Sequence, residues 1–160
     1  MTDSTLARLA DRFAIQDLAI RYCLATDVQD DDLLRSLFAE DARLDTLTGR
    51  DKIVHVLTKI RRRYGRTIHV PQAHLVEFVD DDHATGVILG HAQLDIEGTT
   101  VHSAMRYHDE YVRESDGAWR FASRTVRFSY ALPVAELAES MVDETPVRWP
   151  GMEPLPADPF

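Results

Sequence analysis

Cysteine is almost absent from this chain, since Cys23 is the only one among 160 residues. A single thiol can neither close an internal disulfide nor supply the thiolates of a structural zinc site. Cys23 lies inside a predicted helix, so we interpret it as a small core residue rather than as a nucleophile. The fold must therefore depend on an ordinary hydrophobic core, for which a chain of this length suffices.

Long apolar runs are also missing. No segment approaches the ~20 apolar residues that a membrane-spanning helix needs. The first residues, MTDSTLARLADRF, have neither the basic start nor the apolar core of a signal peptide. We therefore expect a cytoplasmic protein without a membrane partner.

Positive charge is scarce, because 27 acidic residues against 18 basic ones give a formal net charge of -9. Such a chain repels phosphate backbones, and we expect no nucleic-acid partner. The one basic cluster, Arg61 to Arg63 with Arg66, follows a predicted helix. We interpret it as a solvated helix end, where cations are favourable.

Motifs for nucleotides, nucleophiles and metals are absent as well. The sequence contains no G-x-G-x-x-G, no P-loop and no G-x-S-x-G elbow. Its histidines form no H-x-H or H-x-x-x-H pair, and on one strand His102 and His108 would stand roughly 20 Å apart. We therefore expect neither a metal site nor a cofactor.

Helices precede long strands along the chain. Apolar spacing predicts helices at residues 4–27, 32–39 and 50–64, and Gly65 is expected to stop the third. Strands are predicted at 42–46, 74–79, 85–96, 100–113 and 119–130. Short turns at 80–82, 97–98 and 115–117 indicate antiparallel pairing. This order predicts an α+β fold in which helices cover one face of a curved antiparallel sheet.

The first predicted helix carries a carboxylate in register with its apolar residues. The stripe comprises Leu6, Leu9, Phe13, Ile20, Leu24 and Asp27. A carboxylate in this register points inward, where carboxylates are rare unless they are paired. Asp27 is therefore a candidate functional residue, although the helix could also end before it, in the solvated run Asp30 to Asp32.

His69 is the most interesting histidine on local grounds. It lies between Ile68 and Val70, directly before Pro71, where the chain joins the sheet. Its β-branched neighbours indicate a partly dry environment and a restricted side chain. Its role could be that of a catalyst, a ligand or a satisfied core residue.

Alternation along the later strands predicts which side chains face the pocket. Ile88, Gly90, Ala92, Leu94 and Ile96 share an apolar face that we expect to meet the helices. Arg124 and Arg127 fall on opposite faces of the last strand, and alternation does not decide which of them is inside. The expected pocket lining is Phe13, Leu24, Ile88, Leu94 and Phe121.

A proline-rich tail follows the predicted sheet. After a short helix at 134–141, the five prolines at 146, 150, 154, 156 and 159 prevent regular structure. We divide the chain into a domain at 1–132 and a tail at 133–160 that forms a lid or a subunit contact. A sheet face bearing Leu89, Val101 and Tyr107 is expected to be covered by a partner, which favours a homodimer or homotrimer.

Several stretches resemble SnoaL-like domains of the nuclear transport factor 2-like superfamily. They are Ala14 to Leu18 with Tyr22 and Asp27, Leu37-Phe38 with Asp41, Tyr107 to Tyr111, and Asp116 to Phe121. Together they span about Leu6 to Tyr130. The resemblance implies an α+β cone with an internal pocket.

Within this superfamily, the chain is most similar to hexachlorocyclohexane dehydrochlorinase, bile acid 7α-dehydratase and scytalone dehydratase. These groups pair an aspartate at the end of the first helix with a histidine joining the sheet, which maps onto Asp27 and His69. Tyr22 matches a tyrosine of the bile acid enzyme, and Arg124 is nearest to a cationic residue of the dehydrochlorinase. The dehydratases have a third polar group on the middle strand, and its position here falls near Ala92 or Leu94, which are both apolar. The dehydrochlorinase has a lysine on its first helix, and this sequence has no matching lysine.

The resemblance implies a cofactor-independent lyase or isomerase. His69 would be the general base, Asp27 would hold its other ring nitrogen, and Tyr22 or Arg124 would stabilise a leaving group or an oxyanion. The expected substrate is a mid-sized, mostly apolar small molecule such as a terpenoid, steroid, polyketide or haloorganic compound.

Two alternatives stay open. One is a non-catalytic small-molecule-binding domain of the same fold. The other is an epoxide hydrolase or polyketide cyclase in which an Asp–Arg pair holds a water or an enolate. The tyrosine–aspartate–arginine network of limonene epoxide hydrolase relatives is not evident in the sequence.

Overall fold

The computed structural model describes residues 3–159. Met1 and Thr2 of the predicted domain at 1–132, and Phe160 of the predicted tail at 133–160, lie outside the described residues. Its helices are α1 at Asp3–Asp27, α2 at Asp31–Ser36 and α3 at Arg50–Arg61. Its strands are β1 at Phe38–Leu44, β2 at Leu47–Thr48, β3 at Tyr64–Phe78, β4 at His83–Ile96, β5 at Thr99–Arg113 and β6 at Trp119–Pro133. A 3₁₀ helix follows at Val134–Glu139. No helix in this described part is long and apolar enough to cross a membrane.

The strands form one curved sheet in the order β2-β1-β6-β5-β4-β3. The long strands pair antiparallel as predicted, and the turn at Glu97-Gly98 is confirmed by positive φ at both residues. However, β1 pairs parallel with β6, so the sheet is mixed rather than wholly antiparallel. Short turns constrain only consecutive strands, and the pairing of β1 with β6 joins strands that are separated by α3 and three long strands. The helices pack on one face of this sheet, with α1 against β3 and β6.

The end of α3 differs from the prediction. The helix stops at Arg61, and Gly65 lies inside β3 instead of ending the helix. A side chain at Gly65 would collide with the carboxylate of Asp95 on the neighbouring strand. The glycine therefore permits a close approach within the sheet rather than a helix stop.

The face prediction for β4 is confirmed. Ile88, Ala92, Leu94 and Ile96 are buried, whereas Leu89 is 45% exposed on the outer face. In β6, Arg124 is the arginine that faces inward. The β4–β5 register pairs Ile88 with Tyr107 and Leu94 with Val101, so these partners also face inward. The expectation that Val101 and Tyr107 lie on an exposed sheet face is therefore wrong.

The predicted inward stripe of α1 is also wrong. Its five apolar members, Leu6, Leu9, Phe13, Ile20 and Leu24, are between 40% and 65% exposed. The buried face consists of Ile15, Leu18, Ala19, Tyr22, Cys23 and Ala25. Both sets repeat at steps of three and four residues, so apolar spacing alone could not choose between them. The burial of Cys23 agrees with its interpretation as a core residue.

The tail folds back across the end of the sheet. Val147 bridges to Ala131 and to Leu155, and it is buried. The ring of Trp149 packs edge-on against Phe128, with 5.1 Å between the centroids. The tail thus continues the concave side of the molecule.

Candidate active site

A cavity of ≈ 620 Å³ lies between the helices and the concave face of the sheet. Apolar side chains from α3 and from the long strands form most of its wall, including Val56, Leu57, Leu94 and Met105. The tail contributes Trp149, Pro150 and Met152 to the same wall. The space is large enough for a mid-sized organic molecule.

Asp27 and His69 meet at this cavity. Asp27 is the last residue of α1, and His69 lies on β3, the edge strand of the sheet. His69 Nδ1 is 2.6 Å from Asp27 Oδ1, and the backbone N–H of His69 donates to Oδ2 at 3.0 Å. On an edge strand, some backbone N–H groups form no hydrogen bond to a neighbouring strand. The N–H of His69 is therefore free to donate to Asp27. The carboxylate therefore holds both the ring and the backbone of His69.

A third donor completes the environment of Asp27. The Thr67 hydroxyl donates to Asp27 Oδ1 at 2.8 Å. Partial burial raises the pKa of Asp27, but the hydrogen bonds from His69 and Thr67 outweigh it and bring the pKa below its usual value. Asp27 is thus ionised at neutral pH and acts as an acceptor.

The ionised carboxylate determines the tautomer of the imidazole. His69 Nδ1 must carry a proton to donate to Asp27, which leaves the lone pair on Nε2. His69 lines the cavity, and Nε2 has no hydrogen-bond partner within residues 3–159. The His69 side chain is 12% exposed, so bulk water has little access to it. This arrangement can accept a proton from a bound molecule.

Arg124 lies behind the cavity wall rather than in it. Its guanidinium makes a two-bond ion pair with Asp109, both bonds at 2.8 Å, and both side chains are almost completely buried. It lies over the rings of Tyr22, Tyr107 and Phe121, at 4.0–4.5 Å from their centroids. The rings of Tyr22 and Tyr107 line the cavity, and Arg124 does not. An aromatic layer therefore separates Arg124 from the cavity, and its contact with a substrate stays a prediction.

The structure contains a tyrosine–aspartate–arginine network that sequence reasoning missed. Tyr111 donates to Asp109 at 2.8 Å, and His74 Nε2 lies 2.8 Å from the Tyr111 hydroxyl. These residues are far apart in sequence from Arg124, and only the β5–β6 register brings Asp109 opposite it. None of them lines the cavity, so the network holds the fold together rather than a substrate or water there.

The remaining predicted pocket residues divide into two groups. Tyr22 and Leu94 line the cavity. Ile88 and Phe121 are buried in the core beside it, while Leu24 and Phe13 are exposed on the far side of α1. Alternation placed Ile88 on the correct face but could not show where along the strand the cavity ends.

Arg61, Thr67 and Ser103 also belong to the site and were not predicted as its members. Arg61 is buried, lines the cavity, pairs with Asp31 and donates to the Ala25 carbonyl at 3.2 Å. Thr67 could have been found from alternation, because it precedes His69 by two positions and shares its face. The interpretation of Arg61 as part of a solvated helix end is wrong, because its side chain is buried.

The described residues contain no group of three or more histidine, cysteine, aspartate or glutamate side chains that could hold a metal ion. The two nearest histidine rings on the outer sheet face, His91 and His102, are 5.3 Å apart between centroids. They lie on the opposite side of the sheet from the cavity, and His102 pairs with Tyr130.

Comparison with known proteins agrees with the fold. The model of the SnoaL-like domain family matches residues 7–125. A gamma-hexachlorocyclohexane dehydrochlorinase from Sphingobium indicum is 30% identical over 82% of this chain and 89% of its own. A solved hexachlorocyclohexane dehydrochlorinase from Novosphingobium barchaimii superposes with a TM-score of 0.75 at 27% identity, covering 82% of this chain and 94% of that one.

A solved protein described as a putative scytalone dehydratase, from Novosphingobium aromaticivorans, has the same fold. Its TM-score is 0.74 at 24% identity, and the match covers 81% of this chain and 91% of that one. These neighbours are α+β cones with a curved sheet wrapped around helices. The chain therefore belongs to the SnoaL-like domain family of the nuclear transport factor 2-like superfamily, in which its relatives include lyases.

Proposed function

We propose that this protein is a cofactor-independent lyase or isomerase that removes a proton from a carbon atom of a mid-sized, mostly apolar molecule. The observation that carries the proposal is the contact between Asp27 and His69, of which His69 lines the cavity. A histidine held by an ionised carboxylate, with its other nitrogen unpaired on the wall of a cavity, is the arrangement that general base catalysis needs.

The chemistry follows from this arrangement. His69 Nε2 takes a proton from a substrate carbon, and Asp27 stabilises the imidazolium through its bond to Nδ1. In an elimination, the electron pair of the broken C–H bond forms a double bond while the leaving group departs from the adjacent carbon with its own bonding pair. In an isomerisation, the same proton returns to a different carbon. General base catalysis of this kind contributes roughly 10²–10⁴-fold to the rate.

Two tyrosines are suited to assist the departing or developing negative charge. Tyr22 and Tyr107 line the cavity, and burial raises the pKa of each hydroxyl. Both therefore stay protonated at neutral pH and can donate hydrogen bonds to a leaving group or an oxyanion. The guanidinium of Arg124 lies against both rings, and Asp109 neutralises its charge, so Arg124 positions Tyr22 and Tyr107 rather than adding net charge to the cavity.

The relatives suggest the first substrates to test. Purified protein is incubated with gamma-hexachlorocyclohexane, and chloride release is measured. In parallel, a panel of cyclic β-hydroxy ketones is assayed for loss of water. We expect turnover of at least one class, with kcat/KM lowered about 10²–10⁴-fold by His69→Gln.

The matched control is His55→Gln, since His55 is exposed on α3 and does not line the cavity. Its kcat/KM should equal that of the wild type. Turnover that survives His69→Gln would refute the proposed base. Ligand binding without turnover of either class would favour the non-catalytic binding domain instead.

A further inference from the structure

Two unpaired polar atoms belong to residues that line the cavity. Within the described residues, four buried side-chain nitrogen or oxygen atoms have no hydrogen-bond partner: Arg50 Nε, Arg61 Nε, His74 Nδ1 and Ser103 Oγ. Arg61 and Ser103 contribute to the cavity wall. An unpaired buried polar group is costly, and in a native structure it calls for an explanation such as a bound ligand or water.

Ser103 stands alone as a polar group on its part of the wall. It lies on β5, is 0% exposed and faces the cavity. Its neighbours across the sheet are Ala92 on β4 and Ala131 on β6, neither of which has a side chain that can form a hydrogen bond. The fold therefore offers this hydroxyl no partner, although an alanine would have fitted the same row without that cost.

The position of Ser103 relative to the base is set by strand register. His69 pairs with Ala92, and Ala92 pairs with Ser103, so the three residues form one row across the concave face. Two strand spacings separate His69 from Ser103, which amounts to about 9–10 Å between their backbones. A molecule lying across this row would meet the base at one side and the hydroxyl at the other.

Arg61 has a second unpaired donor, Nε, and its positive charge is already paired with Asp31. Its guanidinium already pairs with Asp31 and bonds to the carbonyl of Ala25, and only Nε is left without a partner. Because this positive charge is neutralised within the protein, the cavity favours a neutral oxygen over a carboxylate.

We propose that Ser103 is a ligand-recognition residue, and that the cavity takes a ring compound bearing a carbonyl or hydroxyl oxygen rather than an unsubstituted hydrocarbon. The hydroxyl donates to a carbonyl oxygen, and it can both donate to and accept from an alcohol. The placement of that oxygen opposite the carbon deprotonated by His69 rests on the function proposed above. The recognition of the oxygen itself does not.

The test uses two probes of nearly equal shape, 2-tetralone and tetralin, which differ by one carbonyl group. Their affinities for the full chain are measured by calorimetry in the wild type and in Ser103→Ala. We expect the wild type to bind the ketone at least fivefold more tightly than the hydrocarbon. Ser103→Ala should weaken ketone binding by about 5- to 100-fold and leave tetralin affinity within twofold.

Ser123→Ala is the matched control, because Ser123 lies on the neighbouring strand and its partner in the sheet is Glu110 on the outer side. It should change neither affinity. Thermal unfolding of Ser103→Ala should occur at the wild-type temperature or above it, since the substitution removes an unpaired hydroxyl. Equal ketone affinity in wild type and Ser103→Ala would overturn the proposal, as would a failure of both probes to bind.

The same binding data separate this proposal from the proposed reaction. Equilibrium binding needs no proton transfer, so a ketone preference that depends on Ser103 would stand even if His69→Gln had no effect on any turnover. Conversely, elimination by the wild type without a ketone preference would refute the oxygen site and leave the base intact.

Discussion

At the scale of single residues, the position of Asp27 needs explanation. A carboxylate at the C-terminal end of a helix meets the negative end of the helix dipole, which disfavours its charge. Three donors offset this cost: the ring and backbone of His69 and the hydroxyl of Thr67. All three lie on β3, so the charge of Asp27 also joins the end of α1 to the edge of the sheet. The carboxylate that holds the His69 ring thus contributes to the fold as well.

The Arg124–Asp109 pair should be essential for stability. Arg124→Met leaves Asp109 as a buried charge without its partner, and we expect unfolding to become easier by about 3–5 kcal/mol in urea denaturation. Arg43→Met is the control, because Arg43 and Glu110 are both more than half exposed. Its effect should be within about 1 kcal/mol. Equal losses in the two variants would contradict the assignment of Arg124 to the core.

His74 should make stability depend on pH. Burial is the main cause that lowers the pKa of His74 to about 4. Between pH 6.5 and 4 the unfolded chain therefore binds a proton that the folded chain does not. The free energy of unfolding should fall as the pH is lowered through this window, by about 2 kcal/mol at most from pH 7 to 5, and by less to the extent that solvent reaches the ring.

Urea denaturation of the wild type and of His74→Phe at both pH values checks this. The variant should show a smaller decrease between pH 7 and 5, whereas His55→Phe, changed at an exposed histidine, should show the wild-type decrease. An identical pH dependence in all three proteins would rule out His74 as its source.

At the scale of secondary structure elements, the sequence predicted what local patterns determine. The alternation along β4 and the turn at Glu97-Gly98 depend on neighbouring residues, and the structure confirms both predictions. The inner face of α1 depends on what the helix packs against, because apolar residues lie on both of its sides. The pairing of β1 with β6 and the burial of Arg61 depend on contacts between distant parts of the chain. Such contacts leave no signal in local spacing.

The site shows the same division. Asp27 and His69 were found through a family resemblance as much as through local pattern, since 42 positions separate them. Ser103 was missed because one serine in a strand of mixed composition is unremarkable until its neighbours across the sheet are known to be alanines. Alternation along a strand predicts to which face of the sheet a side chain points, but not how far it lies from a cavity. It therefore could not predict that an aromatic layer separates Arg124 from the cavity.

Opposite faces of α1 should respond differently to truncation. Ile15 is 0% exposed, so Ile15→Ala should lower the free energy of unfolding by about 2–5 kcal/mol. Leu24 is 54% exposed, and Leu24→Ala should cost well under about 1 kcal/mol. Chemical denaturation of both variants checks this. A large loss in Leu24→Ala would show that the outer stripe of α1 is covered by a partner in solution.

At the scale of the whole molecule, the tail and the cone together form the wall of the cavity. Trp149, Pro150 and Met152 of the tail line the cavity, and Arg63 donates to the carbonyl of Pro150. The outer stripe of α1 and the exposed outer-face residues Ile68, Val70, Leu75 and Leu89 remain uncovered within one chain. Large exposed apolar areas are typical of contact surfaces, so they agree with a homodimer or homotrimer, which stays a prediction.

Shortening the tail's aromatic side chain should open the cavity. Trp149→Ala removes a wall residue that packs on Phe128, and we expect faster release of a bound probe such as 2-tetralone and an affinity lowered about tenfold. Stopped-flow mixing measures the release rate. Met141→Ala, changed at an exposed residue outside the cavity, is the control. Unchanged release from Trp149→Ala would mean that the tail does not act as a lid.

The measurement that tests the central claim most directly is proton exchange at carbon. The protein is mixed with 2-tetralone in deuterated buffer, and deuterium incorporation next to the carbonyl is followed by NMR. If His69 Nε2 takes a proton from a bound molecule, the wild type will exceed the buffer rate and His69→Gln will return to it, while His55→Gln will match the wild type. Exchange that persists in His69→Gln, or wild-type exchange at the buffer rate although the probe fills the cavity, would contradict the account.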